Sequence, residues 1–149
     1  KDCDSSWAYH TGGTDRENPI GLGRAIKRVA PETYNQAFDG NLAIRCWRDL
    51  DSAETAENEA LQLRAVNQLD AALIQGFAAI IKDELDHADC STGLYRDSAL
   101  EFVRTVAPLF NRPFAENDPT AAAAFLAGLE GEVDVPALTG YVFNAFNCN

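Results

Sequence analysis

The stretch that decides the fold runs from Ala53 to Lys82 and reads AETAENEALQLRAVNQLDAALIQGFAAIIK. Its apolar residues recur at intervals of three and four, which is the spacing of side chains on one face of an α-helix. The apolar stripe consists of Leu61, Ala65, Val66, Leu69, Ala72 and Leu73. Charged and amide side chains fall largely outside this stripe, so the pattern predicts a long amphipathic helix in the middle of the chain.

Before this helix the helical signals are shorter. We expect a short helix around Trp7 and a second helix that opens at Asn18-Pro19 and stops at Pro31. A brief helical segment then leads to Asp39-Gly40-Asn41, which is a strong turn signal. The region 41–50 fits either a short helix or an ordered loop.

After the central helix the sequence predicts a turn at 91–93 and a helix over 97–110 that Asn111-Arg112-Pro113 closes. Asp118-Pro119 begins the next helix, because an aspartate there caps free backbone amides and proline suits the first helical position. The tail from Val133 to Asn149 is too aromatic for a free end, and we expect it to pack. The sequence therefore predicts an all-α fold with a single domain over 1–149 and a C-terminal tail from about residue 133.

The composition limits the classes of function that the chain can have. The chain has 149 residues, of which 46% are hydrophobic and 23% are charged, as is typical of a globular protein rather than a disordered one. Its formal net charge of −11 repels phosphate backbones and anionic lipid, which argues against a nucleic-acid partner. No apolar run reaches the roughly 18 residues of a membrane span, so we expect no membrane partner either.

The four cysteines are Cys3, Cys46, Cys90 and Cys148. None of them forms a CxxC pair, which disfavours zinc-ribbon and thioredoxin sites. The sequence contains no methionine, and this favours a processed chain that has lost a signal peptide. Widely spaced cysteines in a secreted, extracellular protein predict two disulfides, for which the sequence alone allows three connectivities.

Catalytic chemistry has few candidate residues. His10 and His87 are the only imidazoles, and neither lies in a nucleophile elbow, so we do not expect an enzyme. Glu84 and His87 have the ExxH spacing of di-iron bundles, but a full site of that type needs two such motifs. A helical metal enzyme, with Glu57 or Glu84 converging on His87, is the least favoured interpretation.

Several landmarks occur in a fixed order along the chain. They are Trp7, the segment Ile20 to Ala25, Pro31, Phe38, the run LRAVNQLD from Leu63 to Asp70, and the segment LDHA from Leu85 to Ala88. In order and spacing they resemble the globin family, in particular annelid-type extracellular haemoglobin (erythrocruorin) chains. The resemblance covers about residues 7–110 and implies a globin-like helical fold.

The resemblance also implies bound haem, with His87 as the iron ligand and Phe38 packed on the porphyrin. On the distal side it implies Leu61, Gln62, Ala65 and Val66, and on the floor of the pocket Leu100 and Val103. Haem needs a flat apolar slot between two helices, one of which donates a neutral imidazole. Asp83, four residues before His87, is a candidate acceptor for the imidazole N–H. Alignment on the LRAVNQLD run places Leu61 at the distal position, whereas counting back from His87 favours Asn58.

The function implied by the resemblance is reversible binding of oxygen or another diatomic gas, in an oligomer with other globin chains. Globin topology brings the amino terminus near the last helix, so the implied disulfides are Cys3 with Cys148 and Cys46 with Cys90. The chain departs from the family in lacking a distal histidine and in carrying the extra tail. The alternative function is that of a cofactor-free, disulfide-stabilised helical binding or assembly protein.

Overall fold

The computed structural model describes residues 2–13, 15–48 and 56–146, and these residues form seven helices and no strand. The helices are α1 (Asp2–Thr11), α2 (Gly21–Val29), α3 (Pro31–Arg48), α4 (Ala56–Cys90), α5 (Leu94–Asn117), α6 (Pro119–Gly128) and α7 (Val135–Phe146). The predicted all-α class is confirmed. None of these helices, within the described ranges, is long and apolar enough to cross a membrane.

The chain divides into two compact units, Lys1–Gly76 and Phe77–Asn149, where the sequence analysis predicts one domain. Helix α4 is continuous and contributes to both units. Its 35 residues far exceed the usual globular helix of about 12 residues, so each part can be covered by a separate set of neighbours. We therefore describe unit 1 and unit 2 separately.

Helix α3 of unit 1 runs straight through Asp39-Gly40-Asn41, so the predicted turn there is wrong. Gly40 serves the packing of α3 on α4. A Cβ atom built on Gly40 would lie 3.0 Å from the backbone nitrogen and Cα of Leu69. This distance is tighter than nine in ten real Cβ contacts, so a larger residue at this point would push the two helices apart by a few tenths of an ångström.

Two hydrogen bonds fix the same helix pair on either side of Gly40. The Gln68 amide nitrogen donates to the Gln36 carbonyl at 3.0 Å. The Trp47 indole N–H donates to the Asn58 carbonyl at 2.7 Å. Residue numbers rise along α3 from Gln36 to Trp47, whereas those of the bonded partners on α4 fall from Gln68 to Asn58. Helix α3 and the first part of α4 therefore form an antiparallel pair.

Aromatic residues of α1 and α3 pack together elsewhere in unit 1. The Trp7 ring meets Phe38 edge-on, with ring centroids 4.6 Å apart, and the Tyr34 ring lies 6.0 Å from Phe38. The Tyr34 hydroxyl donates to the Arg16 carbonyl at 3.1 Å, which ties the segment before α2 to α3. Burial raises the pKa of the Tyr34 phenol, so its hydroxyl keeps the proton that it donates. Lys27 adds two further bonds to this segment, at the carbonyls of Arg16 and Glu17.

Helix α5 of unit 2 extends well beyond its predicted end. Pro108 and Pro113 both lie inside it, although each proline lacks the N–H that would bond the carbonyl four residues earlier. Pro108 is exposed, so water can solvate the carbonyl that it leaves without a partner. Apolar side chains on the opposite face hold the helix in place; they are Ala99, Leu100, Val103, Ala107, Phe110 and Phe114.

The last two helices complete the core of unit 2. The Asp118 carboxylate accepts hydrogen bonds from the amides of Thr120 and Ala121, so the predicted cap of α6 is confirmed. Helix α7 forms within the predicted tail, which is packed as expected. Four phenylalanine rings from α5, α6 and α7 meet with centroids 4.8–5.5 Å apart. They belong to Phe110, Phe114, Phe125 and Phe146.

The α3–α4 contact generates a stability prediction. Leu69 is buried against Ala37 and Ala72, and we expect Leu69→Ala to lower the free energy of unfolding by about 2–5 kcal/mol, through lost burial and a residual cavity. The control is Leu63→Ala on the same helix, where the side chain is exposed and the expected loss is under about 0.5 kcal/mol. Urea unfolding of both variants measures the difference, and equal losses would contradict the assignment of the buried face.

Candidate functional site

The residues expected to surround haem are divided between the two units. Unit 1 holds Phe38, Leu61, Gln62, Ala65 and Val66, and unit 2 holds His87, Leu100 and Val103. Leu61 and His87 both lie on helix α4. Leu100 and Val103 are buried within the core of unit 2.

Phe38, the residue expected to pack on the porphyrin, is buried among protein groups instead. Its ring contacts Trp7 and Tyr34, and the Arg16 guanidinium carbon lies 4.3 Å from its centroid. Arg16 is held there by its ion pair with Asp39 and a 3.3 Å hydrogen bond to the Asn35 side chain. The ring faces that a porphyrin would need are therefore covered.

His87, the expected iron ligand, points to solvent with 58% of its side chain exposed. Its Nδ1 lies 3.9 Å from the nearer oxygen of Asp83. This distance is too long for the hydrogen bond that would fix an imidazole tautomer. The prediction that Asp83 orients His87 is thus not supported.

Asp83, Glu84 and His87 nevertheless cluster on one turn of α4, with one potential metal-ligand atom from each within 4.8 Å of the others. Of the two carboxylates considered for a metal enzyme, Glu84 belongs to this cluster. Glu57 belongs to unit 1, at the start of α4. The cluster is open to water, and nothing in it distinguishes a metal site from an ordinary charged helix surface.

Cys46 and Cys90 are exposed free thiols in the structure, without the disulfide that the resemblance implies. The other implied pairing involves the side chain of Cys3 and residue Cys148, which lie outside the described residues. The two exposed thiols belong to different units, Cys46 to α3 and Cys90 to the end of α4.

Helix α5 carries an exposed apolar line that the sequence analysis missed. We call it the α5 stripe; it consists of Tyr95, Phe102 and Leu109, with 83%, 41% and 75% of each residue exposed. The three residues are spaced by seven, which is two turns of helix, so their side chains follow one another along the helix. The spacing of seven is visible in the sequence, but the prediction for this helix rested on its buried side, on which Leu100 and Val103 lie.

The surroundings of the α5 stripe are acidic. Between Phe77 and Asn149 the sequence has 11 acidic and 4 basic side chains. All four basic groups are engaged within unit 2. Lys82 pairs with Asp86, Arg112 with Glu116 and Arg104 with Glu101, while Arg96 and Arg104 also donate to backbone carbonyls. With 11 acidic against 4 basic side chains, unit 2 still carries a net negative charge.

Two of the expected haem residues do line a cleft, although in a different place from the one expected. Leu61 and Ala65 form part of a 280 Å³ depression between α3 and α4. The remaining lining residues are Ala43, Cys46, Trp47, Arg64 and Gln68. Gln62 and Val66 are half-buried and do not line it.

No protein-family model, curated protein or solved structure matches the chain.

His10 is the other unexpected feature, because it is buried and neither ring nitrogen has a hydrogen-bond partner among the described residues. Its ring stacks on Tyr34 with centroids 5.6 Å apart. A Cβ atom on Gly23 would overlap the His10 carbonyl oxygen, so α1 and α2 are in close contact here. Burial lowers the pKa of His10, because the charged imidazolium would lose its hydration.

This burial predicts an acid-sensitive unit 1. The unfolded chain binds a proton at His10 with a pKa of about 6.5 and the folded chain does so only at lower pH, so stability falls as the pH drops below 6.5. The expected loss is at most about 1.4 kcal/mol for each pH unit. Urea unfolding at about pH 7.5 and 5.5 measures it.

The control for this prediction is His10→Phe, which keeps a buried ring but has no proton to bind. All carboxylates titrate alike in the two proteins, so the difference between them isolates His10. We expect the variant to lose less stability on acidification than the original chain. Equal losses would show that His10 is not responsible.

Proposed function

We propose that the chain is a helical protein-binding module whose α5 stripe docks a basic amphipathic helix of a partner protein. The observation that carries this proposal is the line of exposed Tyr95, Phe102 and Leu109 on a helix whose opposite face forms the core of unit 2. Three large apolar side chains exposed along one line of a helix indicate an interaction site. The proposal corresponds to the binding or assembly alternative from the sequence.

The spacing of the stripe favours a helix as the partner. Apolar residues repeated every seven positions match the seam along which two helices pack with a small crossing angle. From Tyr95 to Leu109 the stripe extends about 21 Å along the axis, which a partner helix of four turns would cover. Large aromatic side chains such as Tyr95 and Phe102 are also the residue types that dominate binding energy at interfaces.

The charge near the stripe favours a basic partner. Glu101 precedes Phe102 and has a largely exposed side chain whose carboxylate pairs with Arg104 at 3.7 Å, and Asp97 is exposed one turn earlier. Complementary charge across an interface speeds association and excludes partners of the same sign. A second copy of this chain would bring two acidic surfaces together, so we favour a lysine- or arginine-rich helix over self-association.

A substitution in the middle of the stripe tests the proposal. We expect Phe102→Ser to weaken binding of a synthetic helical peptide, with leucines every seven residues and lysine flanks, by at least about 2 kcal/mol, because it removes the central apolar anchor. Isothermal titration calorimetry measures the affinity. The matched control is Phe143→Ser on α7, because Phe143 is 40% exposed, as much as Phe102, and lies off the stripe. Equal losses in both variants would refute the assigned surface.

A second peptide separates charge from apolar contact. With glutamates replacing the lysines, we expect binding to weaken strongly at low salt and less so at high salt, because added ions screen the repulsion. Equal affinity for both peptides would contradict the basic partner.

Sedimentation of the protein alone should give a monomer, and a dimer that Phe102→Ser dissociates would show that the stripe pairs with a second copy instead.

The globin resemblance supports a competing proposal, haem-dependent binding of oxygen. Its support in the described chain is that His87 is the imidazole accessible to solvent, since His10 is buried. The groups that cover the Phe38 ring weigh against it. We expect haemin mixed with the purified protein to give the same Soret band for the original chain and for His87→Ala. A shift lost in His87→Ala and kept in His10→Phe would restore the haem proposal.

A further inference from the structure

The cleft between α3 and α4, which we call the α3–α4 cleft, results from how this helix pair is held. On one side of the cleft the backbones touch at Gly40 and Leu69. On the other side the Trp47 indole N–H bonds the Asn58 carbonyl. Ala43 and Ala65 lie between these two contacts, and methyl groups are too small to fill the space there. The cleft is therefore bounded at both ends by contacts that also hold the helices together.

The lining combines an apolar floor with a cationic group. Trp47, Leu61 and the two alanines supply the apolar surface. Trp47 is fixed by its hydrogen bond, so the face of its ring forms a stable wall. Arg64 is exposed and contributes the one charged side chain of the lining. An apolar slot with one guanidinium beside it is suited to an amphiphile with a single negative charge.

We propose that the α3–α4 cleft binds a small aliphatic carboxylate, with its chain against Trp47 and Leu61 and its carboxylate at Arg64. A volume of 280 Å³ equals that of about nine water molecules and lies just below the range of about 300–1,000 Å³ for drug-sized ligands. A chain of medium length therefore fits, and a long one would project into water. This inference is independent of the proposed function of the α5 stripe, which belongs to unit 2.

The chemistry at the mouth of the cleft selects a carboxylate over other head groups. A guanidinium forms two parallel hydrogen bonds with a carboxylate, a geometry that an alcohol cannot match. A phosphate monoester carries close to two negative charges, for which a single arginine in a chain of net charge −11 is a poor match. A cationic amphiphile would be repelled by Arg64.

The two exposed cysteines make the test internally controlled. Cys46 lines the cleft, whereas Cys90 is an equally exposed thiol of unit 2 outside it. We expect saturating octanoate to slow alkylation of Cys46 by iodoacetamide at least fivefold and to leave Cys90 unchanged, as read from the cysteine peptides by mass spectrometry. Isothermal titration calorimetry on the same samples gives the affinity directly.

Chain length and head group then test the two halves of the cleft. Each methylene that enters an apolar slot adds about fourfold in affinity, so affinity should rise from butanoate to octanoate and level off once the chain leaves the cleft. Octanol should bind more weakly than octanoate. In Arg64→Gln this preference should disappear, while Arg24→Gln, which removes the same charge from α2, should keep it.

Three results would overturn the proposal. The first is octanoate that slows neither thiol and shows no heat of binding. The second is equal slowing at Cys46 and Cys90, which indicates a general effect on the protein. The third is an unchanged preference for octanoate over octanol in Arg64→Gln, which would remove the guanidinium from the site.

Discussion

The contact between Gly40 and Leu69 is the constraint on which the rest of unit 1 depends. A Cβ atom at residue 40 would lie only 3.0 Å from the backbone of Leu69, so glycine there lets α3 and α4 approach closely. That approach sets the register in which Gln36 meets Gln68 and Trp47 meets Asn58. The same register leaves the α3–α4 cleft open beside the contact, so one glycine determines both the packing and the shape of a binding surface.

The helices could be predicted where one physical effect dominated. Apolar spacing located α4, and the Asp118-Pro119 pair located the start of α6, because capping and proline geometry act locally. The predictions failed where tertiary packing overrode a local signal. Gly40 resembles a turn residue in sequence, yet its value lies in contact with another helix. Pro113 resembles a helix terminator, yet α5 continues to Asn117, with Phe110 and Phe114 buried on either side of this proline in sequence.

The candidate site was harder to predict, because a resemblance carried by the order of residues does not fix where helices break. The expected distal and proximal residues come in globin order, and both lie on α4, which is one helix from Ala56 to Cys90. Leu61 and Ala65 still meet at a cleft, since residues four apart share a helix face whatever that face packs against. The burial of His10 could not be predicted, because a single histidine belongs to no periodic pattern of residues.

Net charge alone would have given a misleading description of the surfaces. The chain carries a net charge of −11, yet the two candidate binding surfaces select opposite partners. In unit 2 acidic side chains outnumber basic ones by 11 to 4, so the unit keeps a negative field although Glu101 beside Phe102 pairs with Arg104. In unit 1 the exposed Arg64 lies beside an apolar cleft, so a positive group stands at this surface despite the negative net charge of the chain. The local arrangement of charges, and not their sum, therefore decides which ligands each surface attracts.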